Sequence, residues 1–474
     1  MITRLDFVFT TLGGLVVLTI VLFLIVLLNR AFKARTMKDL QKWHTLPNIK
    51  DNLTQGSYNT FSDYLAQEKE FLDKTYEEVA IEEEEPFNRY VRKSKSSPYK
   101  DGENLNSSFE CFPLQDKKKG GILLIHGLTD SPYYLRAIAG IFAQKGYYVN
   151  CLRLPGHGTT PGALLDVKWE DWYAAVKFGA HMVRKEISKY EAPQFFVGGF
   201  STGGALTLRY VLETLTSGLP TPDKLFLFSP AIGVSWLAEF ADWHALISWI
   251  PYFRKFKWKE IKPEYEPCKY NSFPKNAADQ IYELTRENRK LVKKLVSNKD
   301  DLQKMPPIYA FQSIVDATVS TEKLVEMMAE ISTEKSELVL FDINRLFEKL
   351  LDVDAANKLL DEVKKRSNFK AKLIVVTNEK KSADVKFISY FGKEEIRFES
   401  ILKWPGHFFA LSHICIPVAP EDEYYGQGSE LGELNVRVEK SIIALDSSDL
   451  IRTRYNPFFP FIRSRIENAI PGEL

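Results

Sequence analysis

Residues 194–204 read Gln-Phe-Phe-Val-Gly-Gly-Phe-Ser-Thr-Gly-Gly, and this stretch decides the fold. The apolar run from Gln194 to Phe200 lacks polar alternation, which predicts a strand buried on both faces. The residues from Gly203 to Leu215 have helical length and periodicity. Between strand and helix, residues 199–203 fit the pattern G-x-S-x-G, in which a sharp turn lifts a serine hydroxyl above a sheet. The sequence therefore predicts Ser201 as a nucleophile.

The two glycines of this motif have a steric reason. The turn is tight, and side chains at Gly199 and Gly203 would collide with the neighbouring strand and helix. The alternative is an ordinary serine in a glycine-rich turn. A predicted strand before the motif and a predicted helix after it favour the nucleophile.

Short apolar runs alternate with helical stretches along the chain from about residue 109. This alternation predicts βαβ units around a mostly parallel sheet, an α/β fold. The predicted strands are Phe109 to Leu114, Gly121 to Ile125, Tyr147 to Leu154, Gln194 to Phe200, Lys224 to Phe228, Pro307 to Gln312 and Lys372 to Thr377. Helices are predicted between them at Tyr133 to Lys145, Trp169 to Lys189 and Gly203 to Leu215.

A second motif, residues 124–132, follows the predicted strand that ends at Ile125 and reads Leu-Ile-His-Gly-Leu-Thr-Asp-Ser-Pro. Backbone amides at this place, that of Leu128 above all, are expected to join the Thr202 amide in an oxyanion hole. The alternative is that His126 and Gly127 merely end the strand. That alternative leaves the co-occurrence with the serine motif unexplained.

Four segments in this order carry a resemblance to a known family: residues 125–132, Arg153-Leu154-Pro155-Gly156-His157-Gly158, residues 169–172 (Trp-Glu-Asp-Trp) and residues 199–203. They resemble the α/β-hydrolase superfamily, in its branch of monoglyceride lipases, carboxylesterases and lysophospholipase-like, serine aminopeptidase-like proteins. The resemblance covers residues 110 to 230 well and the later chain in outline. It implies the order Ser, Asp or Glu, His along the chain. Neither a cofactor nor a metal is implied, and no cluster of residues has metal-ligand spacing.

The acid of this order is expected at a strand end after Ser201. Asp316 follows the predicted strand from Pro307 and matches the family position in outline. Asp342, after the β-like run ending at Phe341, is the competitor. We favour Asp316, and we expect the other aspartate to cap a strand end.

The base is expected last in the chain, where only His407 and His413 lie late enough among the seven histidines. His413 is preferred because it precedes the entry to a new segment at Ile416-Pro417 and because its Ser-His pair resembles the histidine loop of related hydrolases. His407 is the alternative base. His126 and His157 fit loops around the site without a proton-transfer role.

Two stretches interrupt the alternation. Residues 231–306 contain Trp236, Trp243, Trp249 and Trp258 and predict a helical cap over the site, whose aromatic residues contact an acyl chain or form the core of the cap. Residues 320–371 are predicted as a second insertion. The interval between Asp316 and His413 is much longer than the family pattern implies, and it predicts either an added substructure over the site or a lengthened sheet edge.

The N-terminus predicts a membrane anchor over residues 1–28, because Phe7 to Leu28 contains no charge. A cleaved signal peptide is the alternative, but no A-x-A-like site follows. Arg4 precedes the stretch while Arg30, Lys33, Arg35 and Lys38 follow it, so the positive-inside rule predicts a single-pass protein with a cytoplasmic catalytic part. Residues 29–108 are expected to form a juxtamembrane helical region and linker, and residues 109–474 the catalytic domain.

Composition limits the functional classes. The chain has 474 residues with 63 Lys and Arg against 62 Asp and Glu, a balance that offers no footprint for nucleic acid. Its four cysteines lack C-x-x-C spacing, which excludes a zinc-ribbon pattern and a dense disulfide framework. The oligomeric state stays open.

The expected function is that of a membrane-tethered serine esterase or lipase acting on a lipid-like or acyl ester, for example a monoacylglycerol or a lysophospholipid. An amidase or aminopeptidase with the same triad is one alternative. A catalytically silent hydrolase fold that serves as a membrane scaffold is the other, although the presence of Ser201 together with two candidate histidines argues against it.

Overall fold

The computed structural model describes residues 4–115, 118–233, 251–350, 353–366, 369–391, 394–406, 408–429, 431 and 454–470. The strands are β1 (Tyr99–Lys100), β2 (Glu103–Asn104), β3 (Phe109–Cys111), β4 (Gly120–Ile125), β5 (Tyr147–Leu152), β6 (Gln194–Phe200), β7 (Lys224–Phe228), β8 (Trp258–Glu260), β9 (Phe273–Pro274), β10 (Ile308–Ser313), β11 (Glu337–Phe341), β12 (Lys372–Asn378), β13 (Asp384–Phe391) and β14 (Glu394–Lys403). The helices are α1 (Arg4–Thr36), α2 (Phe61–Val79), α3 (Arg136–Gln144), α4 (Trp169–Ile187), α5 (Thr202–Ser217), α6 (Lys275–Ser297), α7 (Lys299–Leu302), α8 (Thr321–Ile331), α9 (Asp354–Lys365) and α10 (Phe459–Ala469).

Ten of the described strands form one sheet in the order β3-β5-β4-β6-β7-β10-β11-β12-β13-β14. All neighbours from β5 to β12 are parallel, while β3 and the β13-β14 hairpin are antiparallel to their neighbours. The central strands β4 and β5 are buried along their whole length, which explains their continuous apolar sequences. The predicted mostly parallel sheet is confirmed.

Helices cover both faces of this sheet. On one face Trp172 of α4, Leu206 of α5 and Leu324 of α8 belong to one buried apolar cluster. On the other face Ile138 of α3 and Ile462 of α10 belong to a second cluster. Each such side chain contributes about 1.5–3 kcal/mol by leaving water, so burial of these faces is the main force that holds the helices in place.

The sheet continues past β11 through β12, β13 and β14. The stretch 320–371, predicted as an insertion, contains α8 and α9, and it contributes β11 between β10 and β12. Neither β13 nor β14 is among the strands predicted from the sequence. Charged residues interrupt the apolar ones along both strands, and most of β14 is exposed.

The region from residue 42 to 108 packs against the sheet domain. Phe61 and Tyr64 of α2 belong to the same apolar cluster as α4 and α5, and Trp43 stacks on Tyr90 with ring centroids 4.7 Å apart. Across the residues that the structure describes, no helix has the length and hydropathy that a membrane span requires. The anchor over residues 1–28 therefore stays a prediction.

Candidate active site

The turn between β6 and α5 presents Ser201 at the carboxyl end of the sheet. Ser201 has φ +53° and ψ −114°, a backbone conformation that L residues rarely adopt. Neighbouring backbone fixes it, because the Ser201 N–H donates to the Phe228 carbonyl at 3.0 Å and the Ala231 N–H donates to the Ser201 carbonyl at 2.9 Å. Strand β7 therefore holds the serine turn from the side.

The glycines of the motif are required by close backbone contacts. A Cβ at Gly199 would lie 2.2 Å from the carbonyl carbon of Gly203, and a Cβ at Gly203 would lie 2.0 Å from the Ile125 oxygen. Both distances are far below van der Waals contact, and the clashing atoms are backbone. These contacts are the collisions that the sequence predicted for side chains at Gly199 and Gly203.

His413 lies at the start of a short 3-10 turn and faces Asp316, which follows β10. The distance between His413 Nδ1 and Asp316 Oδ2 is 2.7 Å. The side chains are 8% and 0% exposed, so water barely screens this contact. The ring of His413 also lies 5.1 Å, centroid to centroid, from the ring of Phe200 beside the nucleophile candidate. The structure thus brings together a carboxylate and an imidazole that lie 97 positions apart.

The remaining contacts of Asp316 hold it as an anion. The backbone N–H groups of Thr318 and Val319 donate to its Oδ1 at 2.8 and 3.0 Å, and Gln312 Nε2 donates to its Oδ2 at 2.9 Å. Burial raises the pKa of Asp316, but the charge and hydrogen bond of His413 and the two N–H groups outweigh burial and leave the pKa below its usual value.

Leu128 and Thr202 lie at the same end of the sheet, where β4 and β6 end. Thr202 is the first residue of α5, so its N–H has no acceptor within the helix and lies at the positive end of the helix dipole. The turn that carries Leu128 has its next residue, Thr129, at φ +65°. Both Leu128 and Thr202 line the cavity that contains Ser201.

This cavity has a volume of about 390 Å³. Its apolar lining includes Ala231, Phe273, Ile281 and Ile414. The charged part of the wall comes mainly from residues 258–273, here called the cap arm. Three ion pairs line it: Asp130 with Lys269 at 2.8 Å, Glu266 with Arg454 at 2.7 Å, and Glu260 with Lys262 at 3.1 Å.

Of the four tryptophans predicted for the cap, the structure describes Trp258. Trp258 packs edge-on against His44 with ring centroids 5.0 Å apart, and it is not part of the cavity lining. Trp236, Trp243 and Trp249 lie outside the described residues. The described part of the cap therefore presents both charged and apolar side chains to the cavity of Ser201.

Asp342, the candidate that competed with Asp316, does not line the cavity of Ser201. Asp342 follows β11, as expected, but Arg345 Nη2 and Thr377 Oγ1 contact its carboxylate at 2.7 and 2.6 Å. It lines another cavity, beside β12, and not the cavity of Ser201. His407 lies outside the described residues.

Two buried charge clusters near the site were missed from the sequence. Arg153, in the segment 153–158, contacts Glu68 and Asp51 at 2.9 and 2.6 Å. Lys269 contacts Asp130 beside the predicted oxyanion turn. A charged residue directly after a buried apolar run was the available signal, since such a charge needs a partner.

Comparisons with known proteins found one matching family model and several similar proteins. Residues 116–342 match the family model described as "Serine aminopeptidase, S33". The thermostable monoacylglycerol lipase of Bacillus sp. (strain H-257) is 39% identical to the chain over 93 residues. Residues 116–342 are therefore similar to the lipase and esterase branch of the α/β-hydrolases. The predicted family resemblance is confirmed, while the match leaves out the last described part of the hydrolase domain, including His413.

The similar proteins differ in how much of each chain the similarity covers. The matched segment is 20% of this chain and 35% of the Bacillus lipase, so the chain spans about a third of the curated relative. A soluble variant of Saccharomyces cerevisiae monoglyceride lipase, solved with a substrate analogue, is 14% identical with a TM-score of 0.38, covering 54% of this chain and 90% of its own. A metagenome-derived lipolytic enzyme is 19% identical with a TM-score of 0.37, covering 55% and 98%.

Proposed function

We propose that the chain is a membrane-anchored serine hydrolase that cleaves a carboxylic ester through Ser201, His413 and Asp316. The contact of 2.7 Å between His413 Nδ1 and Asp316 Oδ2, at the cavity that contains Ser201, carries the proposal. A serine hydroxyl is a weak nucleophile and needs a base beside it that a third group orients. The three side chains fit these three roles.

In the proposed reaction His413 Nε2 takes the proton of Ser201 as its Oγ attacks the ester carbonyl. Asp316 accepts the Nδ1–H hydrogen bond, which keeps Nε2 free as the base and stabilises the imidazolium. Collapse of the tetrahedral intermediate releases the alcohol, which receives the proton from His413. Water, activated by the same imidazole, then releases the acid and restores Ser201.

The proposed oxyanion hole consists of the backbone N–H groups of Leu128 and Thr202. The negative charge develops on the carbonyl oxygen only during the reaction, so fixed donors stabilise the transition state more than the ground state. Removing one such donor in other enzymes lowers kcat by about a hundredfold or more. The position of the Thr202 N–H at a helix N-terminus supports this role.

The proposed substrate is a lipid-like or acyl ester, with monoacylglycerols and lysophospholipids to be tested first. The activity in the name of the Bacillus relative supports this class. A cavity of about 390 Å³ lies within the usual range for small-molecule sites. Its apolar lining suits an acyl group, and the charged cap arm suits a polar alcohol part.

The membrane anchor belongs to the same proposal. The uncharged stretch from Phe7 to Leu28 lies within α1, and the following basic residues assign the hydrolase domain to the cytoplasmic side by the positive-inside rule. An anchored enzyme meets a substrate that resides in the bilayer without leaving the surface. This location suits an ester that is sparingly soluble in water.

Amide hydrolysis is the second candidate, because the matching family model is described as a serine aminopeptidase. Recognition of a substrate's N-terminal amine requires a carboxylate that is available in the cavity. Asp130, Glu260 and Glu266 line the cavity, and each contacts a lysine or an arginine of this chain. This pairing favours an ester over a free amine.

The first test is labelling of the detergent-solubilised chain with a fluorescent fluorophosphonate, beside Ser201→Ala, His413→Ala, Asp316→Asn and His407→Ala. We expect labelling of the wild type and its loss in Ser201→Ala and His413→Ala, because the first removes the nucleophile and the second removes the base. Asp316→Asn is expected to label at least a hundredfold more slowly, since the tautomer is no longer fixed.

His407→Ala serves as the matched control, since it removes a histidine six positions upstream of the proposed base. Its labelling should equal that of the wild type. A folded wild type that does not react with the probe would contradict the proposal and favour the silent scaffold. Parallel assays with p-nitrophenyl butyrate and an aminoacyl p-nitroanilide separate ester from amide hydrolysis.

A further inference from the structure

The turn between β4 and α3 is held in place from the cap side. Tyr270 N–H donates to the carbonyl of Thr129 at 2.9 Å. The ammonium group of Lys269 donates to Asp130 Oδ1 at 2.8 Å. Two adjacent residues of the cap arm thus contact the two residues that follow Leu128.

The conformation of this turn needs such support. Thr129 has φ +65°, which is unfavourable for a β-branched residue, and the contacts around it must maintain this conformation. The Asp130 side chain folds back over Gly127, where a Cβ would lie 2.4 Å from its Oδ2. Asp130 N–H also donates to the Gly127 carbonyl at 3.3 Å. The position of the Asp130 carboxylate is therefore coupled to the path of the backbone at Leu128.

The ion pair lies in a low-dielectric place. The Asp130 side chain is 2% exposed and that of Lys269 is 20% exposed. Burial raises the pKa of Asp130, while Lys269 and His413 act to lower it and Glu266 acts to raise it further. Without the lysine, the carboxylate would be left without its closest cation and would move, take up a proton or draw in water.

Lys269 is itself well positioned to act as a support. Its backbone carbonyl accepts a hydrogen bond from Arg89 Nη1 at 3.0 Å. Its neighbours Asn271 and Ser272 donate their N–H groups to the buried carboxylate of Glu264 at 2.9 and 2.8 Å. The cap arm is therefore held in place by contacts other than those that it makes with the turn after β4.

We propose that Lys269 is a positioning residue for the oxyanion hole, which fixes the Leu128 N–H through its ion pair with Asp130. The inference rests on the proposed function. It also couples the cap to catalysis, because the donor geometry at Leu128 is complete only when the cap arm lies against the turn. Lys269 lines the cavity as well, so its rival role is a direct contact to the substrate.

The two roles differ in kinetics. A displaced oxyanion donor weakens binding of the transition state and lowers kcat with little change in KM. A lost substrate contact raises KM with kcat unchanged. The rate of fluorophosphonate labelling follows the first role, because the phosphoryl oxygen of the probe occupies the oxyanion position.

The test compares the full chain in detergent with Lys269→Met, Lys269→Arg, Asp130→Asn and the double variant Lys269→Met/Asp130→Asn, using p-nitrophenyl butyrate and the fluorophosphonate. Lys269→Met is expected to lower kcat by about ten- to a hundredfold, with KM within twofold and slower labelling to match. Lys269→Arg should restore at least half of kcat, since it keeps the charge. The double variant should exceed Lys269→Met in kcat, because it leaves no unpaired carboxylate.

Lys290→Met is the matched control, since Lys290 pairs with Glu287 at 2.7 Å on an exposed face of α6. Thermal melting reports whether each variant is folded. If Lys269→Met is not folded, Asp130→Asn takes its place in the comparison with the wild type. An unchanged kcat, a rise in KM alone or failure of arginine to restore activity would each overturn the inference. A wild type without hydrolysis or labelling contradicts the proposed function instead.

Discussion

His126 connects two loops beside the nucleophile turn and does not transfer protons in the proposed chemistry. Its ring is fully buried, with Nδ1 2.8 Å from the Gly127 carbonyl and Nε2 3.0 Å from the Leu154 N–H. These contacts assign the proton to Nδ1 and leave Nε2 as the acceptor. Burial and the nearby His157 hold the pKa of His126 well below its usual value, so the ring stays neutral.

We predict that His126→Leu lowers the free energy of unfolding by about 1–3 kcal/mol, because the Leu154 N–H is left buried without its acceptor. Urea unfolding followed by tryptophan fluorescence measures this change. His181→Leu is the control, since His181 is exposed on α4 and its replacement should leave the midpoint unchanged. Equal midpoints for the two variants would show that the ring is dispensable for stability.

Helix α2 contacts the sheet domain through a buried ion pair in addition to its apolar side chains. Glu68 is 0% exposed and accepts hydrogen bonds from Arg153 Nε at 2.9 Å and from the Ser108 N–H at 2.6 Å. Asp51, which precedes α2, contacts the other end of the same guanidinium. The region 29–108, predicted as a juxtamembrane helix and linker, thus supplies both partners of an arginine that follows β5.

Glu68→Gln is predicted to destabilise the fold by about 3–5 kcal/mol, since it leaves the buried Arg153 short of one of its two anions. Differential scanning calorimetry gives the shift in Tm. Glu70→Gln provides the comparison, because Glu70 pairs with Lys74 on the exposed face of the same helix and should leave Tm unchanged. Similar shifts for both variants would contradict the role assigned to Glu68.

Strand β6 could be predicted from the sequence, whereas strand β14 and the role of Glu68 could not, and the local residue pattern explains the difference. Strand β6 was predictable because both its faces are buried and its sequence is continuously apolar. Strand β14 was not, because its exposed residues include Glu394, Glu395 and Arg397 among the apolar ones. Glu68 likewise resembles any charged residue of an amphipathic helix, since its partner lies 85 positions away.

Across the whole molecule, buried neutral histidines link stability to pH. Burial lowers the pKa of both His44 and His157 to about 4, and it also holds that of His126 well below its usual value. An unfolded chain takes up these protons below pH about 6.5, whereas the folded chain resists them until about pH 4. The stability that these neutral histidines contribute is therefore fully present above pH about 6.5, and it is lost as the pH decreases towards 4.

We predict that His44→Gln flattens this dependence by up to about 1.4 kcal/mol per pH unit between pH 6.5 and 4.5. His44 is suited to the test because its Nδ1 accepts the Gln41 N–H at 2.9 Å, a bond that protonation breaks. Buried acids with raised pKa, such as Asp130 and Glu264, act in the opposite direction. The test therefore compares how steeply the free energy of unfolding changes with pH in the variant and in the wild type. Identical slopes would contradict a contribution of His44 to this dependence.

The order of the candidate site could be expected from the sequence, but the path between its members could not. The family resemblance implied that a histidine follows the aspartate, and the long interval left two possibilities open. The chain uses the interval to extend the sheet through β12, β13 and β14 before it returns with His413. The residues around His413 do not indicate the hairpin of β13 and β14, whose charged and exposed residues form no continuous apolar run.

The late position of His413 in the chain has a consequence for synthesis of the protein. Ser201 and Asp316 are translated first, and the 97 positions before the imidazole take about 5 to 20 s more at usual rates of synthesis. During that time the nascent chain carries the proposed nucleophile without its proposed base. Under the proposed chemistry a ribosome-bound or prematurely terminated chain that ends before His413 stays inert, so under the proposed anchoring the lipids beside it are spared.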